Sequence, residues 1–541
     1  MSWTTEEILT ALDELLVRFF PKPAHDEQMP EAYEAQSRSV HEVHENFEPA
    51  TQPQLPLGVE SIKAHATNSE KHNVIRFNSK LIQNNDIFIA ISGGNGDGHL
   101  YVDDAISRGA SCLIISNEQV FDSLVLSHTN KCIVLVNDAQ EALQSLAIYK
   151  RSKVPSTTCI IAITGSLGKT STKEALGQCL SAIDDSTFVS YKNFNNYLGL
   201  LINLASLNEN AKYMVFELGM NCSGEIAQLS KLLQPNIVII TNIAHVHLAF
   251  FQDLRGIASA KAEIFCAHPN IAIINAENEY STLLHKAKAC AVERIYSFGS
   301  SQEHGELIGY EALRETGATN DGARVKLTFN ILGQTVSFVR DKLPKHFAQN
   351  WVALLILAKV LNLDINRFCE SLTLFHSSNL RFELCSATFC DIKYSIIADC
   401  YNASPTATKC ALQYLADFSN KNKIAVLGQM LELGERSKEM HVALREEIVN
   451  ANLSALILIG DDWYDLYEQL KNYTLLQHLY FFSTSDTSTH KLGEACYSDG
   501  WETRVSELLL SIITQDAVVL LKASRSFKFE RILDVLRSTI N

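Results

Sequence analysis

Residues 159–183 read CIIAITGSLGKTSTKEALGQCLSAI, and this stretch decides the fold. CIIAITG is a short apolar run with the character of a buried strand. It passes through a glycine-containing turn, Gly165-Ser166-Leu167-Gly168, into a helical stretch that opens at Lys169. Gly165 and Gly168 let the backbone approach phosphate groups closely. A helix N-terminus offers free N–H groups and a favourable dipole to the same anions. Lys169 is then placed against the β- and γ-phosphates of a nucleotide, and the Thr170 hydroxyl is placed to ligate Mg²⁺. The usual phosphate-loop pattern has a glycine five residues before Gly168, where this chain has Ile163. The strand–turn–helix context therefore carries the nucleotide reading, against a bare glycine turn followed by a chance Gly-Lys-Thr.

The same grammar extends in both directions. YMVFEL (213–218), NIVIITNI (236–243) and IAIINAE (271–277) repeat the short apolar strand, with helical sequence between them. That alternation predicts a parallel sheet with crossover helices, an α/β fold. Upstream, DIFIAI and SCLIIS are strands flanking the helix YVDDAISRGA. Downstream of a polar stretch near HSSN (376–379), the strands YSIIADC, KIAVLG, SALILIG, LYFFS and AVVLLKAS form a further α/β unit. Residues 4–20 read as one amphipathic helix, with Ile8, Leu12, Leu15, Leu16 and Phe19 on one face. Lys22 to about Pro56 reads as a polar linker; with Pro21, this region holds six of the chain's 11 prolines. Its His25, His41 and His44 match no metal-site spacing.

Composition narrows the function. The chain has 541 residues, so three or four domains are expected at ~150 residues each. A net charge of −15 argues against a general nucleic-acid coat, which needs a basic surface. Thirteen cysteines without a C-x-x-C pair predict reduced thiols in a cytoplasmic protein. The acidic N-terminus has the wrong charge for a signal peptide. No run of ~18 apolar residues is present, so no membrane span is expected.

The loop TGSLGKTSTKE resembles that of the muramyl (Mur) ligases, the ATP-dependent amide ligases of peptidoglycan synthesis. Further stretches resemble the same family in the same order. They are KNFNNYLGLLINL, FELGMNCSGEIAQLSKLLQPNIVIITNIAHVHL, IASAKAEIF, KHFAQN, DCYNASP, LGQMLELGERSKEMH and LLKASRSFKFE, and together they span about residues 75–535. DCYNASP, LGQMLELG and the early NNDIFIAISGGNGDGHLYVDDAISRGA are most similar to the member that adds D-alanyl-D-alanine to a UDP-muramyl-tripeptide. The chain departs from the family pattern at Asn78, Lys80, Phe347, Ser404, Gln429 and Ala523.

The resemblance implies a three-domain architecture. Residues 57–152 form a UDP-substrate domain, 153–376 a central ATP-binding parallel-sheet domain, and 377–541 a C-terminal Rossmann-like domain. Residues 1–56 are a helix-plus-linker extension without a counterpart in the family. ATP and Mg²⁺ are the implied cofactors. UDP-muramyl-tripeptide and D-alanyl-D-alanine are the implied small-molecule partners, and the protein is expected to act as a monomer.

Joining a carboxylate to an amine in water is uphill. ATP overcomes this by making an acyl phosphate, which the amine attacks, and the protein mainly positions groups and neutralises charge. The resemblance gives Gly165, Ser166, Leu167, Gly168, Lys169, Thr170 and Ser171 to the phosphates. Thr170 and Glu217 would hold one Mg²⁺, and His247 with a carbamylated Lys261 a second. Lys169, Glu217, His247 and Lys261 form the catalytic set, and His245 is read as structural. Asn350 would meet adenine, Arg381 phosphate and Asp399 the ribose. Ser79, Asp97, His99, Asn193, Asn195 and Asn196 are candidates for the UDP substrate, and Asn402 and Glu432 for the dipeptide. Two alternatives remain open. One is a ligase on the same scaffold with another acceptor, such as another muramyl peptide or folate. The other is a nucleotide-binding regulator that has lost ligation, against which the intact loop, Glu217 and Lys261 argue.

Overall fold

The computed structural model describes residues 2–20, 33–34, 71–94, 96–127, 131–246, 251, 253–300, 302–313, 324–377, 380–419, 422–473, 476–483 and 501–538. The chain forms two compact units. The first comprises residues 1–158 and 190–212, and the second residues 159–189 and 213–541.

The first unit is built on a six-stranded sheet in the order Tyr33–Glu34, Leu16–Phe20, Cys132–Val136, Cys112–Ile115, Ile87–Ile89, Ile75–Arg76. The last four strands run parallel, and Leu16–Phe20 joins them antiparallel. Residues 4–20 are therefore not the single helix expected. A helix covers only Thr5–Ala11, a 3₁₀ turn follows at Asp13–Leu15, and Leu16–Phe20 is a strand. Thr4 and Glu7 cap the helix reciprocally, Thr4 Oγ1 accepting from Glu7 N–H and the Glu7 carboxylate from Thr4 N–H. The apolar spacing of Leu16 and Phe19 suits either structure. The free edge of Cys132–Val136 decides, because it supplies backbone partners to a segment rich in aromatic and branched residues.

This N-terminal segment is well anchored. Trp3 is 1% exposed, and its indole N–H donates to the Ala205 carbonyl at 2.8 Å. The Lys150 ammonium sits 4.5 Å above the Trp3 ring and donates to the Ser2 carbonyl at 3.0 Å. Ala205 ends the helix Tyr197–Ala205, so the Asn-rich segment belongs to this unit. Residues 35–70, with His41 and His44, and His25 before them lie outside the described residues.

The second unit carries a parallel six-stranded sheet in the order Phe188–Val189, Tyr213–Glu217, Cys159–Thr164, Ile237–Ile240, Ile271–Asn275, Arg294–Phe298. The chain starts in the middle at Cys159–Thr164 and later strands add on both sides, which makes the C-terminal end of that strand a topological switch point. Helix Lys345–Val360 buries Phe347, Trp351, Leu354 and Leu355 in the core shared with Ile161, Ile239 and Ile273. An antiparallel sheet, Gly305–Leu313, Arg324–Ile331 and Gln334–Asp341, adds Val325, Leu327, Phe329 and Ile331 to that core.

The chain then builds a second six-stranded sheet, Glu383–Phe389, Ile392–Asp399, Ala517–Lys522, Lys423–Gly428, Ala455–Ile459, His478–Phe482. Only the first pairing is antiparallel. Helices such as Pro405–Ala416 and Glu530–Ser538 cover it, and its strands bury Ile396, Val426, Ile457 and Val519.

Candidate active site

The glycine turn sits at the switch point of the first sheet. Strand Cys159–Thr164 ends at Gly165, and helix Lys169–Ile183 starts with Gly168 as its N-cap, so no side chain caps its first turn. The open N–H groups there face whatever anion the loop receives. Gly165 has φ +150°, and a Cβ on it would lie 1.9 Å from Thr241 Oγ1. Gly168 has φ +80°, and its Cβ would lie 2.3 Å from Asn350 Nδ2. Both positions thus need glycine for conformation and for space.

The neighbouring strand end holds the loop in shape. Ser166 N–H donates to the Asn242 carbonyl at 2.9 Å and Leu167 N–H to Asn242 Oδ1 at 2.8 Å. Thr241 Oγ1 donates to the Leu167 carbonyl at 2.6 Å. Ser166 Oγ accepts from Ala244 N–H at 2.9 Å and lies 3.1 Å from the Ala244 carbonyl.

Charge gathers around this frame. Lys169 Nζ donates to the Gly165 carbonyl at 2.8 Å. Burial pulls the Lys169 pKa down, as does the charge of Arg381, while Glu217 opposes them. Thr170 Oγ1 donates to Glu217 Oε2 at 2.7 Å, and both residues are buried. Lys173 Nζ lies 4.0 Å from the same oxygen. Lys261, in the last turn of helix Leu254–Ala262, is 2% exposed. Burial, with a second push from the Lys169 charge, holds its pKa well below the ordinary lysine value. Glu263 does not pair with it. That carboxylate accepts from the N–H groups of Gly224 and Ala227, at the start of helix Glu225–Leu233.

The structure thus brings together the Gly165–Ser171 loop, Glu217, Lys261, Asn350 and Arg381. The Arg381 guanidinium lies 3.7 Å from the centre of the Tyr401 ring. Asp399 already has an internal partner, Lys522, whose Nζ is 2.9 Å from Asp399 Oδ2. Burial pushes the Asp399 pKa up against the pull of that ammonium. His346, beside Asn350 in the KHFAQN stretch, is driven to about 3 by burial and by Lys522. Tyr401, Lys173 and Lys522 join this set from within the DCYNASP, TGSLGKTSTKE and LLKASRSFKFE stretches, where sequence reasoning assigns them no role. Lys173 carried a signal, since it follows Lys169 by one helical turn. His247 lies outside the described residues. His245, read as structural, is exposed and lines a cleft.

The weaker candidates have local duties. Asn402 Oδ1 accepts from Ala403 N–H, and Glu432 is exposed with φ +63°. In the first unit, Asp97 accepts from Ser92 Oγ at 2.7 Å and from His99 N–H at 3.0 Å, and it contacts His99 Nδ1 at 2.6 Å. These bonds, the His99 amide first, lower its pKa to about 2. His99 Nε2 accepts from Ser116 N–H, so in the neutral ring Nδ1 carries the proton. Ser79 is buried and hydrogen-bonds Asp104. Asn196 caps helix Tyr197–Ala205 by accepting from Gly199 N–H, and Asn195 N–H donates to the Asn193 carbonyl. All six belong to the first unit, and the phosphate loop belongs to the second.

A parallel sheet with a glycine turn, lysine, threonine and strand-end carboxylate at its switch point defines an α/β protein of the phosphate-loop nucleotide-binding class. Residues 163–358 match the Mur ligase middle domain, and residues 380–525 match the glutamate ligase domain of Mur ligases. A relative in Rickettsia prowazekii, named UDP-N-acetylmuramoyl-tripeptide–D-alanyl-D-alanine ligase, is 37% identical over 485 residues, covering 89% of this chain and 97% of the relative. A crystal structure of MurF from Acinetobacter baumannii superposes with a TM-score of 0.70 at 24% identity, covering 99% of both chains. MurF from Thermotoga maritima, solved in complex with ADP, gives a TM-score of 0.65 at 24% identity over 86% of this chain and 97% of that one. The chain belongs to the Mur ligase family.

Proposed function

We propose that the chain is an ATP-dependent ligase that joins D-alanyl-D-alanine to UDP-N-acetylmuramoyl-tripeptide in peptidoglycan precursor synthesis. The observation that carries the chemistry is the buried Thr170–Glu217 pair beside Lys169 on an uncapped helix N-terminus. The substrate assignment is supported by the end-to-end likeness to the Rickettsia ligase.

In this reading the loop N–H groups and Lys169 grip the β- and γ-phosphates. The γ-phosphoryl group passes to the free carboxylate of the tripeptide, and ADP is released. The dipeptide amine then attacks the acyl carbon, phosphate departs, and the amine loses a proton. The Thr170 hydroxyl and the Glu217 carboxylate are hard oxygen donors that fit Mg²⁺, which neutralises phosphate charge when bound. Asn350 and Arg381 serve the nucleotide. Asp399 accepts from the ribose hydroxyls.

The reading gives Lys261 a modified state. A buried neutral amine can add to the carbon of CO₂ and release one proton, leaving a carbamate with two hard oxygens. The depressed pKa supports this step, because only the neutral amine is nucleophilic. His247 is its proposed partner at a second Mg²⁺. Lys261→Ala should be nearly inactive and partly rescued by acetate; full activity without rescue would refute the modification.

Residues 57–152, joined by the Leu16–Phe20 strand and by residues 190–212 of the same compact unit, are proposed as the UDP-substrate domain, the rest of 153–376 as the ATP domain and 377–541 as the C-terminal domain. Ser79, Asp97, His99, Asn193, Asn195 and Asn196 shape the UDP-substrate region, and Asn402 and Glu432 the dipeptide region. The enzyme is taken to act as a cytoplasmic monomer. The thirteen cysteines without a C-x-x-C pair support a reducing compartment. Among the described residues, no helix is long and apolar enough to cross a membrane. The test is phosphate release with ATP, Mg²⁺, UDP-muramyl-tripeptide and D-alanyl-D-alanine, omitting one component at a time. Release that does not require the dipeptide would overturn the assignment.

A further inference from the structure

The second unit contains a cleft of about 710 Å³ outside the grip on the nucleotide. Its lining includes His245, Arg255 and Glu279 with Leu433, Glu435 and Arg436 from a later segment. The volume is in the range of small-molecule sites, ~300–1,000 Å³.

The cleft opens beside the phosphate loop. His245 directly follows Ala244, whose N–H donates to Ser166 Oγ in that loop. Arg255 lies in the first turn of the same helix that ends with Lys261. The cleft lining is thus tied to the loop through His245 and to Lys261 through the Leu254–Ala262 helix.

Charge selects the class of ligand. The lining mixes two guanidinium groups with the carboxylates of Asp253, Glu279 and Glu435. A polyanion would meet those three carboxylates, whereas a zwitterion finds both signs. The two arginines are not equivalent. Arg436 is held bidentately by Glu439, at 2.9 and 3.1 Å. Arg255 is exposed and has no hydrogen-bond or ion-pair partner among the described residues. Its planar fork matches a carboxylate in two parallel bonds.

We propose that Arg255 binds the α-carboxylate of the incoming dipeptide in this cleft and so determines specificity for a free C-terminus. The proposal rests on the ligase reading above, which supplies a zwitterion. An extended dipeptide spans ~7 Å, at ~3.5 Å per residue. A carboxylate fixed at Arg255 thus leaves the amine free to reach toward the loop.

The test compares D-alanyl-D-alanine with its C-terminal amide, which lacks the charge. Dipeptide-dependent phosphate release is measured for wild type, Arg255→Ala and Arg255→Lys, each first checked for an unchanged melting temperature. Wild type should favour the acid by about 10–100-fold in kcat/KM, the usual worth of a hydrogen bond to a charged group. In Arg255→Ala the acid-to-amide ratio should fall to near one. KM for the dipeptide should rise, while KM for ATP and for UDP-muramyl-tripeptide stays unchanged. Arg255→Lys should keep an intermediate ratio, and methylguanidinium should restore part of the preference in Arg255→Ala. An unchanged ratio in Arg255→Ala, or a wild type indifferent to the amide, overturns the proposal while leaving the ligase reading intact. No dipeptide-dependent release by wild type at all overturns the ligase reading, and this inference with it.

Discussion

Replacing Gly165 with alanine tests the loop geometry directly. Two penalties arise at that position. The backbone at φ +150° is costly for any residue with a Cβ, by ~1–3 kcal/mol. The new Cβ also lies 1.9 Å from Thr241 Oγ1, so that hydroxyl must move and its bond to the Leu167 carbonyl is lost. A lost buried hydrogen bond adds ~1 kcal/mol, for a total of ~2–4 kcal/mol. Gly224 supplies the control. It has φ +93° with nothing within 4 Å of an added Cβ, so Gly224→Ala should cost only the conformational ~1–2 kcal/mol. Urea unfolding followed by circular dichroism measures both variants. Thr241→Ala removes the clashing atom, so Gly165→Ala/Thr241→Ala should be less destabilised than the sum of the singles, by ~1 kcal/mol. Phosphate release is the second readout, where a displaced loop should cost ~10²-fold. If Gly165→Ala and Gly224→Ala cost the same, and the double mutant is additive, the close approach of Thr241 to the loop is wrong.

Three further outcomes follow from other parts of the molecule. Lys169→Ala should lower turnover by ~10²–10³-fold with little change in melting temperature, and near-normal turnover would remove Lys169 from the site. Deleting residues 2–20 takes away a sheet strand, the Trp3 anchor and a buried apolar set; the protein should melt far lower or become insoluble, and an unchanged melting curve would contradict the strand pairing. His346 has a folded pKa of about 3 against 6.5 when free, so the unfolded chain binds more protons between those values. Its linked stability is fully present above pH 6.5 and falls as the pH drops toward 3. His346→Gln should flatten that acid limb in melting temperatures measured from pH 7 to 4, and parallel curves would refute the assignment.

The phosphate loop was legible because its parts are contiguous: Gly165, Gly168, Lys169 and Thr170 lie within one strand–turn–helix. Glu217 was legible because it ends an apolar strand. Long-range pairs were not. Lys522 and Asp399 meet through parallel pairing of strands 123 residues apart, and neither segment names its partner. The burial of Lys261, on which its chemistry turns, depends on what packs over the helix. Leu16–Phe20 deceived because its apolar spacing fits a helix as well as a strand, and only the vacant sheet edge resolves it. The Gly305–Asp341 meander does carry a period-two signal, since Val325, Leu327, Phe329 and Ile331 alternate with more exposed residues. Leu332 and Gly333, at φ +50° and +76°, make the tight turn that follows.

The Trp3–Ala205 contact has a consequence for biosynthesis. Its two ends are separated by 202 residues of chain. At ~5–20 residues per second, Ala205 is synthesised ~10–40 s after Trp3. During that interval the emerging N-terminal segment has neither its indole acceptor nor the helix Tyr197–Ala205, so the first unit cannot close while only its contiguous part, up to residue 158, has been made. The ribosome must also have passed through the opening strand and phosphate loop of the second unit by then. The two units are therefore interleaved in time during translation, and Trp3 is a group that a nascent-chain chaperone would find uncovered.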